Sequence, residues 1–129
     1  MTENNDIYNA YKGLPKEDLN DSFITACKWG RLEQVKCLLE NQEFSKYIDV
    51  HYKDDEAFVW SLVNSKREIF SYLIHEYRIE KTDRIKECLS NSISDVVDDA
   101  AQMFEMRELN ERLNEDLTPN NQNSKKAKI

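Results

Sequence analysis

The stretch from Phe23 to Glu40, FITACKWGRLEQVKCLLE, constrains this chain more than any other. It reads as a short helix, a turn at Trp29-Gly30 and a second, amphipathic helix. Ala26 and Cys27 are small enough to let two helices approach closely. Gly30 can take positive φ with almost no steric cost, so it can end one helix and reverse the chain. Val35, Leu38 and Leu39 then recur at i, i+3 and i+4 and make a single apolar stripe.

The same arrangement returns further on. Phe58 stands 35 residues after Phe23, Ser61-Leu62 fill the small-pair position, and Ser65 takes the place of the turn glycine. Glu68-Ile69-Phe70 align with the Leu32-Glu33 to Val35 stretch of the first pair, and Tyr72, Leu73 and Ile74 supply the closing apolar face. This pattern resembles the helical part of an ankyrin repeat, L-x-x-A-A-x-x-G-x-L-E-x-V-K-x-L-L, with its period of about 33 residues. Phe23 fills the first Leu slot, and Ala26-Cys27, Gly30, Leu32-Glu33, Val35-Lys36 and Leu38-Leu39 fill the others. The family's usual Thr-Pro is missing, and Asp21 or Ser22 is expected to cap the first repeat helix instead.

Two departures from the family pattern stand out. Nine residues, Glu40 to Ile48, separate Leu39 from Asp49 where an ankyrin repeat has about four. They are expected to extend the second helix by a turn and to pack Phe44, Tyr47 and Ile48. Asp49-Val50 match the start of the family's β-hairpin finger, but the short segment that follows predicts a blunted finger with little strand character.

The resemblance implies an all-α, ankyrin-like helix-turn-helix solenoid with a capping helix at each end, because end repeats would otherwise expose an apolar face. Residues 1–20 then hold an N-terminal capping helix and linker, the helix itself predicted over Asp6–Lys12 and stopped by Gly13 and Pro15. Residues 21–93 hold two repeats and a degenerate third at Asp83–Asn91, and 94–117 form a long acidic capping helix. Residues 118–129 are expected to be a disordered basic tail in which Lys125, Lys126 and Lys128 match a minimal import pattern or act as a solubilising tail.

Two surfaces are candidates for recognition. In the family's geometry the two residues before each turn point into a concave groove, which places Lys28, Trp29, Val63 and Asn64 before a partner protein. Trp29 is either an indole packed beside a turn or an interface anchor, since Trp buries a large rigid surface at low entropic cost. Trp60 is assigned to the core rather than to contact. The other surface is Met106, Leu109 and Leu113 on the last helix, a short 3-4 stripe that could support self-association as a homodimer. Residues 94–118 carry eight acidic side chains and two Arg, and so hold most of the excess charge.

Composition narrows the function classes. The net charge of −7 disfavours nucleic acid and anionic membrane as general partners, and no apolar run is long enough to span a bilayer. Three Cys on apolar faces fit reduced thiols in the cytoplasm better than a disulfide framework. His51 and His75 lie at no metal-ligand spacing, and two Gly cannot build a phosphate loop. No cofactor, metal or catalytic residue is therefore expected, and the chain reads as a binding module rather than an enzyme. Few Gly and Pro with plentiful Asn, Lys and Ile point to an AT-rich genome. Small divergent ankyrin proteins of intracellular bacteria and large viruses, which the chain resembles in this respect, act on proteins of the host cytosol.

Overall fold

A computed structural model describes residues 2–91 and 94–117, with side chains in the ranges 6–91 and 94–114. The described chain is all-helical, with no strand. Helix α1 (Thr2–Lys12) starts four residues earlier than expected and leads through a 3-10 turn (Lys16–Asp18) into α2 (Leu19–Lys28). Then come α3 (Leu32–Glu40), α4 (Gln42–Ser45), α5 (Tyr52–Val63) and α6 (Arg67–Ser71), which continues as a π-helical turn over Tyr72–Glu76. Helices α7 (Asp83–Ser90) and α8 (Asp95–Leu117) complete the chain. Ser92 and the basic tail, with Lys125, Lys126 and Lys128, lie outside the described residues.

Helices α2 and α5 pack against each other at the centre, each with its own partner, α3 and α6, alongside. The stripe read from the sequence is the stripe that is buried. Phe23, Cys27, Val35 and Leu38 have no exposed surface, and neither do Phe58, Phe70 and Leu73. Helix α1 lies against α3, where Tyr8 and Tyr11 meet the buried Phe44 ring at 5.6 and 6.1 Å and the Tyr11 hydroxyl donates to Gln34.

Helix α8 closes the other side. Its first half buries Ala100 and Phe104, with the Phe104 ring 6.0 Å from Phe58. Arg107 donates to the Ile74 carbonyl within the π-turn and to the Ile79 carbonyl just beyond it, tying α8 to that segment. Ion pairs Arg67–Asp99, Arg78–Glu111 and Lys81–Glu108 flank this contact.

Two local expectations are corrected, and one local feature was not anticipated. Asp21 and Ser22 do not cap α2; the helix begins at Leu19, and Asp21 pairs with Lys53 across the surface. Residues 41–48 do not extend α3. Asn41 is extended (φ −90°, ψ 119°) and its side chain accepts from the Glu43 N–H, which stops one helix and caps the next. Within that segment Phe44 is buried while Tyr47 stays 39% exposed, so only one of the two aromatics packs. Finally, α5 opens on a left-handed turn: Lys53, Asp54 and Asp55 all have φ between 55° and 63°. Asp55 is buried there, where its carboxylate binds the His51 ring and accepts from the Thr82 hydroxyl at 2.6 Å.

Burial sets an alkaline limit on this core. It pushes the Cys27 thiol well above its ordinary range. Burial, together with the hydrogen bond that the Tyr72 hydroxyl donates to Glu40 at 2.8 Å, does the same to the Tyr72 phenol. Both groups hold their protons more tightly folded than unfolded. The stability they contribute is complete below the unfolded values and declines as pH rises past about 9 for the thiol and about 10 for the phenol. Urea titrations at neutral and alkaline pH should show that decline, and Tyr72→Phe should flatten its upper part. An unchanged slope in the variant would remove Tyr72 as its source.

Candidate partner-binding surface

The surface is built on two chain reversals. After α2 the chain turns at Trp29-Gly30, where Gly30 has φ +74°; after α5 it turns at Asn64-Ser65, where Ser65 has φ +58°. The two turns use the same hydrogen bonds 35 residues apart. The Arg31 N–H donates to the Ala26 carbonyl at 2.9 Å, and the Lys66 N–H to the Ser61 carbonyl at 2.7 Å. Trp29 bonds Thr25, and Asn64 bonds Trp60, in the same way. This is the pattern in which a left-handed residue lets the chain fold back on orphan helical carbonyls.

Helices α2 and α5 run side by side, so the two turns stack. The Asn64 side-chain amide donates to the Lys28 carbonyl at 2.9 Å. The Lys66 stem passes so close to Gly30 that a Cβ there would lie 2.8 Å from its Cδ. Glycine suits position 30 on both counts, since a side chain there would be strained at this φ and would have to displace the Lys66 stem.

All four residues expected at the groove are therefore on these turns, and Lys28 and Asn64 are in direct contact. Trp29 is 55% exposed and Val63 64% exposed, while Lys28 and Asn64 are half-buried. Trp60, which sequence pattern places in the core, packs against the core while half-buried, and its ring also reaches this surface. The Lys28 ammonium lies 4.2 Å from the centroid of the Trp60 ring and 5.4 Å from that of Trp29, and the Trp60 N–H donates to Glu56 at 3.2 Å. A cation over two indoles contributes about 0.5–2 kcal/mol and holds both rings in place. The available signal was position: Trp60 precedes Asn64 by one helical turn and shares its face.

Met106, Leu109 and Leu113 occupy the outer half of α8 and are 40–54% exposed. The body of the protein does not cover them.

Among the described residues one other buried polar cluster joins α5 to the start of α7. In the His51–Asp55–Thr82 cluster the carboxylate sits in the middle, and the Thr82 hydroxyl is spent on Asp55 while accepting from the Ile85 N–H. The one contact between a carboxylate and a hydroxyl there, Asp55 with Thr82, is part of the cap of α7. Among the described residues no group of three His, Cys, Asp or Glu is placed to hold a metal ion, and no helix is long and apolar enough to cross a membrane. An open groove of about 520 Å³ runs between α1 and α3, lined by Ile7, Tyr8, Lys36 and Cys37 among others. No protein-family model, curated protein or solved structure matches the chain.

Proposed function

We propose that the protein is a small ankyrin-like helical stack that binds a partner protein through the surface around Lys28, Trp29, Val63 and Asn64. In this reading α2–α3 and α5–α6 are two repeats, α7 is a degenerate third, and α1 and α8 cap the ends. One observation carries the proposal: a tryptophan more than half exposed, with a cation over its ring, on one of two stacked turns of which the other carries an exposed valine. Large apolar side chains left in water at a rigid edge mark interaction sites, and Trp leads among interface hot spots. Three free cysteines agree with work in a reducing cytosol.

Trp29→Ala tests the reading. It should leave the melting temperature within about 2 °C of wild type, since the ring is mostly solvated, and weaken partner binding by about 2 kcal/mol, roughly 30-fold. A variant that unfolds like a core mutant would show Trp29 to be a packing residue.

A second reading rests on the exposed stripe of α8. There Met106, Leu109 and Leu113 dock against a second copy, and the protein is a self-associating structural element. Light scattering decides it: a dimer that Leu109→Arg converts to a monomer supports self-association, and a monomeric wild type excludes it.

A further inference from the structure

The two stacked turns differ from the rest of the chain in charge. The protein carries net −7, yet residues 28–31 read Lys-Trp-Gly-Arg and residues 64–67 read Asn-Ser-Lys-Arg, four cations and no acid. Arg67 is paired with Asp99. Among the described residues Lys28, Arg31 and Lys66 form no ion pair with a carboxylate. Lys28 is held over the indoles, the Lys66 stem is laid across Gly30, and Arg31 is exposed at the start of α3. Trp29 and Val63, both more than half exposed, are carried on the same two turns.

The indole pair is already occupied by the chain's own ammonium, so an incoming cation would have to displace it and would meet three like charges. Like-charge contact opposes association, whereas opposite charge steers it and fixes register. An anion meets these three cations with attraction, set against the single charge of Glu56, whose carboxylate accepts from the Trp60 N–H.

We propose that this surface takes an acidic segment of a partner protein, one that places a large apolar side chain on Trp29 and Val63 and carboxylates against Lys28, Arg31 and Lys66. This rests on the binding-surface reading above and adds the chemistry of the occupant. The apolar contact supplies affinity, and the three cations reject basic and neutral competitors.

A random peptide display library, panned on the full-length protein and counter-screened on Trp29→Ala, tests both levels. The expected winners combine two or more Asp or Glu with one Leu, Phe, Tyr or Trp and are lost on Trp29→Ala. The strongest of them, made as a free labelled peptide, should bind at least about tenfold more weakly to Arg31→Glu and to Lys66→Met. Lys66→Met keeps the aliphatic cover over Gly30 and deletes only the charge. Raising salt from about 0.05 to 0.5 M should weaken wild-type binding and affect both variants less. Winners that need Trp29 but are basic or neutral would overturn the acidic occupant and leave the surface standing. Winners indifferent to Trp29→Ala, or no winners at all, would overturn the surface reading and the acidic occupant with it. Arg31→Glu and Lys66→Met must melt with wild type. If only one does, that variant carries the comparison; if neither does, the three cations are structural and the proposal fails.

Discussion

Phe58→Ala should lower the unfolding free energy by about 3–5 kcal/mol, the usual result of deleting a fully buried aromatic ring. Phe58 has no exposed surface and lies 6.0 Å from Phe104, so the ring joins the central helix α5 to the closing helix α8. A domain of this size has about 5–15 kcal/mol of stability in total. The variant should therefore melt far below wild type, and part of the loss should appear as loosening of α8. Chemical denaturation measures the first effect, and protease cleavage within α8 measures the second. A loss below about 1 kcal/mol would mean that the core around residue 58 refills easily and that α8 is held mainly by its ion pairs.

Asp55→Ala should be the most damaging change to a polar residue, at about 2–4 kcal/mol. Its carboxylate is buried and joins His51 on its own element to Thr82, 27 residues further on. Removing it leaves the Thr82 hydroxyl without an acceptor. It also places Ala at φ +63°, where Asp is better tolerated because its short polar side chain can bond locally. Thr82→Val should cost less, about 1–2 kcal/mol, because the α7 cap to the Ile85 N–H is lost along with the bond to Asp55. In the double variant the two losses should overlap, since both delete the same contact. Strict additivity would show that Asp55 and Thr82 act separately.

The all-helical class and the two chain reversals were legible because they rest on local chemistry. Few Gly and Pro, an i, i+3, i+4 stripe and a glycine at the end of it leave little choice of backbone, and Ser65 at φ +58° fills the same role in the second pair. Asn41 was legible in principle as a capping residue; the apolar residues after it argued for a longer α3 instead. The left-handed turn at Lys53–Asp55 was not legible. No glycine marks it, and the groups that hold it are supplied in part from α7. Trp60 was legible only in part, as a residue packed against the core. Helical periodicity puts it near the apolar face, but its cover is the Lys28 side chain from another helix, which periodicity along α5 cannot reveal.

The amide bond from Asn64 to the Lys28 carbonyl has a thermodynamic consequence. It spans both helical pairs, so the contact face exists only while both are folded. Any excursion in which α5–α6 lifts away erases the face, and a ligand bound across it must resist that excursion. A ligand present at 100 times its dissociation constant, with no affinity for the open form, adds about 2.7 kcal/mol against melting. Slower amide exchange in α5 and α6 would then report occupancy at a distance, even where no ligand atom touches those helices.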